Sequence, residues 1–377
     1  MLSYQTAELH HGSHTDLLQE LPIPAEAPAG RGLDAIIVPT AWSADALRHA
    51  MQVAKTIDCP VVALCSRAAS AAQTIRIADQ EAAAVLAVDV DPSLAEHLPR
   101  SDTDLFLQQN GFGSTSDLSL KRNLGTVFAR GSGWQRVLFL DDDIHIDDPA
   151  HLHRVAPLVD DYRAVGLANH GFADNSVVCH ANRAVDGPQS TFIGGGAMIV
   201  DTFRTRSFFP NIYNEDWFFL LGDGVPFRAA RSGTMHQRPY DPFANPARAV
   251  AEELGDTLAE GLFWLLDGGQ QPANPGSTYW GDALYRRRHF IDLLLAASGD
   301  GPDHHRMRRS LEAARGRSAD ITYRLCHRFV ELWQSDLDRW RLHLDRAQIG
   351  DSPEKFLHKV RMSHHVQFSK AYLNSRR

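Results

Sequence analysis

Four apolar residues, Val137-Leu138-Phe139-Leu140, run directly into three carboxylates, Asp141-Asp142-Asp143, and then into Ile144-His145-Ile146. An unbroken apolar run of this kind reads as a strand buried on both faces, as in a parallel sheet covered by helices. Ligands of open α/β sheets collect beyond the carboxyl ends of the strands, which is where these acids stand. Three adjacent carboxylates repel one another unless a proton or a cation relieves them. A hard divalent cation, held by one or two carboxylates and the phosphates of a substrate, is the usual relief. The alternative is that the acids only open a solvated loop; the buried strand before them favours the metal.

The segments around this strand alternate in type. Ala35-Ile36-Ile37-Val38 is a short strand ended by Pro39-Thr40, and residues 43–57 have helical spacing behind Ser43 as N-cap. Strands follow at 60–65 and 84–88, with a helix at 68–78 between them. Strand–helix–strand alternation predicts a parallel, right-handed βαβ sheet. Residues 114–130 read as a helix carrying Lys121, Arg122 and Asn123, and Asp148-Pro149 opens another helix over 149–158. Strands at 164–168, 197–200 and 226–230 and a short helix from Asn214-Glu215-Asp216 complete the α/β portion, with a polar, turn-rich stretch at 169–195. Neither G-x-G-x-x-G nor G-x-x-x-x-G-K-[ST] is present, so the common dinucleotide and P-loop folds are not supported.

The chain thus divides into a polar N-terminal extension (1–32), an α/β unit (33–244) and a region of long helical segments (245–377), the last read at 248–266, 279–297 and 320–347. His10-His11-Gly12-Ser13-His14 lies in the extension, which reads as a mobile surface segment with weak metal affinity at most. A net charge of −8 argues against a general nucleic-acid binder, whose footprint is basic. Four scattered cysteines without a C-x-x-C pair suggest neither a disulfide framework nor a zinc site, and a cytoplasmic, reduced setting is the simplest expectation. Met1-Leu2-Ser3-Tyr4-Gln5 has no basic start and no apolar core, so no signal peptide is expected. No apolar run approaches the ~20 residues of a transmembrane helix.

In order along the chain, Ile37-Val38-Pro39-Thr40, Lys121-Arg122-Asn123-Leu124-Gly125, Leu140-Asp141-Asp142-Asp143 and Asn214-Glu215-Asp216 resemble the signature stretches of GT-A nucleotide-sugar glycosyltransferases, nearest the family 2 type. The resemblance covers about half the chain, 34–240, and rests on the set rather than on any one motif. It implies a GT-A fold, Rossmann-like with a mostly parallel sheet flanked by helices, here with an α-helical C-terminal extension. It implies transfer of a sugar from a nucleotide-diphosphate donor, UDP- or GDP-type, to an acceptor hydroxyl. Mn²⁺ or Mg²⁺ would be held by Asp143, with Asp141 and the late His236 as further ligands. Asp141 would also face the donor, and Asp142 would serve either donor or support. Pro39, Thr40, Arg122, Asn123, Gly195 and Gly196 are the remaining donor-side candidates.

Asp216 is the candidate general base, with Glu215 beside it; the bland alternative is that both acids only complement a helix N-terminus. Trp217 is a candidate to stack on a sugar, and Lys121 and Arg122 to neutralise phosphate. The second strand ends Leu64-Cys65-Ser66-Arg67, without the Asp that family members place there, so the base is not read. An inverting transfer is expected; a retaining transferase of the glucosyl-phosphoglycerate-synthase type and a non-catalytic nucleotide-sugar-binding protein are the alternatives. A nucleotidyltransferase lacks its Gly-rich signature here, and a glycosidase with paired carboxylates explains fewer of the features. The helical region offers a surface for the acceptor or for a homo-oligomer.

Overall fold

The computed structural model describes residues 8–26, 32–222, 227–272, 275–347, 349–350, 352–361 and 363–375. The reading of Met1–Gln5 and the Pro226 end of the last α/β strand fall outside them. Ten strands occur among the described residues: β1 (Leu18–Glu20), β2 (Ala35–Thr40), β3 (Val61–Cys65), β4 (Val85–Asp89), β5 (Arg136–Leu140), β6 (Ile144–His145), β7 (Ala164–Asn169), β8 (Ala197–Asp201), β9 (Ala229–Gln237) and β10 (Val366–Phe368). They lie in the order β1-β9-β7-β8-β5-β2-β3-β4-β10, with β6 pairing to β9. β5, β2, β3 and β4 run parallel, as do β7, β9 and β1. β8 is antiparallel to both of its neighbours.

The helices are α1 (Arg48–Thr56), α2 (Ala71–Glu81), α3 (Asp102–Gln109), α4 (Leu118–Gly131), α5 (Leu152–Val155), α6 (Val177–Ala184), α7 (Glu215–Gly222), α8 (Pro246–Asp267), α9 (Ser277–Ala297), α10 (Pro302–Asp320), α11 (Tyr323–Arg346), α12 (Pro353–Lys359) and α13 (Lys370–Ser375). The sheet is buried on both faces, and side-chain alternation splits its residues between two cores. Ile36 and Val38 of β2 pack into one with Leu138 and Leu140, and Ala35 and Ile37 into the other with Val137 and Phe139. A third core is built almost wholly of helices, α7, α8, α9 and α11. The molecule is therefore a mixed α/β fold with a mostly parallel central sheet flanked by helices and a helical C-terminal region.

Local signals account for many boundaries. Ser43, Ser70, Ser176, Asn245 and Thr322 each accept a backbone N–H at a helix start. α4 seats on the sheet where Gly125 faces Ile37, since a Cβ there would stand 2.7 Å from the Ile37 side chain. That seating carries Lys121 and Arg122 to the carboxyl ends of the strands.

Four expectations are corrected. The segment 149–158 is one broken run, with α5 flanked by 3₁₀ turns, rather than one helix. The turn-rich stretch contains α6. A fourth long helix, α10, joins the C-terminal region. The described part of the N-terminal extension is an integral part of the fold: β1 joins the sheet edge beside β9, and His10 and His14 are buried. At the opposite edge β10 pairs with β4, so the sheet takes strands from both ends of the described chain.

Candidate functional site

Asp141, Asp142 and Asp143 occupy the turn between β5 and β6, each partly buried. The turn is fixed by its backbone. The Asp141 N–H donates to the Gly196 carbonyl (2.9 Å), the Ile144 N–H to the Asp141 carbonyl (3.2 Å) and the Arg238 N–H to the Asp143 carbonyl (3.1 Å). Asp141 receives one guanidinium nitrogen of Arg122 on both oxygens, at 3.0 and 2.9 Å. The other terminal nitrogen of Arg122 pairs closely with Glu215. Burial works against the charge of this guanidinium, but Asp141, Glu215 and Asp216 outweigh it and hold it above its ordinary value. Arg122 thus ties the Asp turn to the start of α7 from below.

Asp216, next to Glu215, lies on the open side of that start. Its carboxylate accepts the Gly195 N–H at 2.6 Å and the Trp217 N–H at 2.9 Å. The Gly194–Gly196 run is needed for this fit. A Cβ on Gly195 would stand 2.4 Å from the Arg122 guanidinium, and one on Gly194 would stand 2.8 Å from Asp216. Asn214, just before α7, meets the helix start through its backbone, whose carbonyl accepts from the Trp217 and Phe218 N–H groups. Its side chain reaches Asp256 instead, at 3.3 Å.

These groups line one cleft, together with Asp174, His14, Trp217 and Gln237. Seven acidic side chains face it against a single arginine among the described residues that line it. Burial first, and then Asp141 and Asp142, push the Asp143 carboxyl up to about 6. Its side-chain donor is Gln237, at 3.4 Å. Asp174 opens onto the cleft; enclosure by the protein, then Asp216, Asp141 and Asp143, push it up to about 7. Asp141 and Glu215 pair with Arg122, Glu260 with His14 and Asp256 with Arg287, and the carboxylate oxygens gathered around Asp143 fit a hard divalent cation held by Asp143 and Asp141, with the rest of its shell from phosphate and water.

The other expected residues lie apart from the cleft. Thr40 ends β2 and donates to Asp142 at 2.5 Å, while Pro39 is buried in the same strand. Burial holds Asp142 above its ordinary value. Asn123 uses both ends of its amide on the Phe209 backbone, at 2.7 and 2.9 Å. Lys121 is buried, with its ammonium on the Thr40 carbonyl, Ser66 and Asp117, so the charges of the Lys-Arg pair are taken up within the protein. His236 pairs with Asp147 at 2.9 Å. It is Gln237, its neighbour on β9, that turns toward Asp143, because successive strand residues face opposite sides.

The described residues hold two groups of three His, Cys, Asp or Glu side chains whose ligand atoms lie within 4.8 Å of one another. These are His10–Cys179–Glu260 and His11–His14–Asp267, and neither includes Asp141, Asp143 or His236. Asp174, His14 and Glu260 are cleft residues that the sequence reading missed. Asp174 directly precedes Asn175-Ser176 at the cap of α6, a start signal that was legible; His14 and Glu260 meet across 246 residues.

No protein-family model matches the chain, and no curated protein does. Among solved structures, it is similar to the mannosyltransferase PcManGT from Pyrobaculum calidifontis, in complex with GDP-Man and Mn²⁺. The match has a TM-score of 0.45 at 14% identity and covers 92% of this chain and 100% of that one. At that score the likeness bears on neither the chemistry nor the ligands of this chain.

Proposed function

We propose that this chain is a glycosyltransferase that moves a sugar from a nucleotide-diphosphate donor, UDP- or GDP-type, to an acceptor hydroxyl. One observation carries the reading: the Asp141–Asp143 turn, the Glu215-Asp216 helix start and the Gly194–Gly196 run close on a single acidic cleft beside the carboxyl end of β5. Asp143, with Asp141, would hold Mn²⁺ or Mg²⁺. When bound, the ion supplies Lewis-acid stabilisation of the charge that grows on the leaving diphosphate.

The protein's own groups do the rest. Arg122 orients Asp141 and, through Glu215, the start of α7. Thr40 steadies Asp142. Gly194 and Gly196 keep side chains off the cleft wall, which lets a sugar approach the backbone, and Gly195 leaves room for the Arg122 guanidinium. Asp216, held by two backbone N–H groups, takes the proton from the acceptor hydroxyl. The bond from the anomeric carbon to the diphosphate oxygen breaks as the bond to the acceptor oxygen forms, in one inverting step. Glu215 is the orienting acid rather than the base, because its carboxylate is committed to Arg122.

The test is thermal unfolding with UDP- and GDP-sugars, with and without Mn²⁺. A ligand at 100 times its Kd stabilises the folded state by about 2.7 kcal/mol. One donor class should raise Tm only with the metal, and Asp143→Asn should lose that rise and at least 100-fold in sugar transfer while keeping its circular dichroism. Full transfer by Asp143→Asn, or no shift with any nucleotide sugar, overturns the reading.

A further inference from the structure

At one wall of the cleft, where His11, His14 and Glu260 line it, the N-terminal segment lies against the end of α8. His14 is 2% exposed and sits between two carboxylates. Its Nδ1 is in close contact with Asp267, and its Nε2 is 2.9 Å from Glu260. His11 Nδ1 points at the same Asp267 oxygen from 3.6 Å, is shielded from solvent and makes no hydrogen bond. The two imidazoles stack at 4.7 Å, with Trp264 edge-on to His11 at 5.7 Å. Two imidazole nitrogens and a carboxylate oxygen therefore converge on one point, with one of the nitrogens unsatisfied.

The backbone holds them there. Gly12 passes so close to Pro188 that a Cβ would meet its carbonyl oxygen at 2.3 Å, and the Gly12 carbonyl accepts the Ser190 N–H at 2.7 Å. That docking sets His11, one residue before Gly12, and His14, two residues after it, beside Asp267 of α8.

We infer that His11, His14 and Asp267 form a Zn²⁺ site, distinct from the Asp141–Asp143 turn, that fastens the N-terminal segment to α8. Ligands at about 2.0–2.2 Å from a tetrahedral ion stand roughly 3.3–3.6 Å apart, which the His11–Asp267 separation of 3.6 Å meets. The close His14–Asp267 contact opens to the same separation to admit the ion. Glu260 then keeps its place on the far nitrogen of His14, the carboxylate–histidine–metal arrangement that fixes a ligand's tautomer and orientation. Imidazole and carboxylate suit zinc, and a water completes the four-coordinate shell. The neighbouring His10–Cys179–Glu260 group is the competitor for the same ion.

The experiment uses the full chain, stripped by a chelator and titrated with Zn²⁺ by calorimetry in an Asp143→Asn background, so that the acidic turn does not contribute. One equivalent should bind, and binding should weaken at least tenfold in both His11→Gln and Asp267→Asn. Zn²⁺ should raise Tm, and neither variant should show that rise. The metal-free Tm of each variant checks its fold, so a variant that fails to fold leaves the other to decide. Co²⁺ in place of Zn²⁺ should give the visible bands of a tetrahedral nitrogen–oxygen site. No stoichiometric binding, binding indifferent to both substitutions, or a sulfur-to-cobalt band from Cys179 overturns the inference.

Discussion

Arg122 is the residue on which most of the cleft depends. Its guanidinium is buried between Asp141 and Glu215, and removing one partner of a buried, hydrogen-bonded charge set leaves the others uncompensated, at a cost of about 3–5 kcal/mol. Arg122→Met is expected to lose that much in urea unfolding. Arg122→Lys should recover only part of it, because an ammonium cannot reproduce the planar two-sided fork. Gly195 is coupled to it. A methyl at 2.4 Å from the guanidinium has no room, and the guanidinium is pinned from both sides. Gly195→Ala should cost about 1–3 kcal/mol and weaken donor binding in the same thermal-shift assay. The Asp turn and the Glu-Asp pair were legible because each sits at the end of an apolar strand or the start of an apolar helix. The pairing of His236 with Asp147 was not legible, because spacing along a chain says nothing of which face of β9 a side chain takes.

At the scale of elements, α6 shows what sequence periodicity hides. Its buried His180 shares a hydrogen bond with the Tyr240 hydroxyl at 2.9 Å and stacks on Phe172. Burial, then Arg248 and Arg183, depress its pKa to about 4. The folded state therefore refuses a proton that the unfolded chain accepts below about 6.5. The contribution to stability is whole above that pH, falls as pH drops from 6.5 to 4 and is lost below. Unfolding free energies of His180→Phe and of the unsubstituted protein, taken from urea titrations at pH 7 and pH 4.5, should show a decline shallower by about 1–2 kcal/mol in the variant. The central strands were readable because β2, β3 and β5 are buried along their whole length and so carry unbroken apolar runs. β1, β6 and β10 span two or three residues, too few for a periodic signal, and exist only through partners far away in sequence. α10 escaped notice because its buried face is small: Met307, Ser310, Leu311, Ala314 and Ser318 on a helix otherwise rich in arginine.

For the whole molecule, the sheet is closed at the β4 edge by β10 and by Ser369. The Ser369 hydroxyl donates to the Ala83 carbonyl at 2.7 Å and accepts the Val85 N–H at 2.9 Å. A chain stopped at residue 351 leaves the outer backbone edge of β4 unpaired along an apolar strand, the arrangement that invites pairing between molecules. It should unfold at lower temperature and show larger particles by light scattering at equal concentration. The same closure sets a timetable. Val88 of β4 meets Val366 of β10, so 278 residues must be made between one and the other. At roughly 5–20 residues per second, the ribosome needs about 14–56 s to span that interval. Throughout it, the strand made early waits with its edge bare, and whatever shields it during synthesis governs how much of the chain reaches the finished sheet.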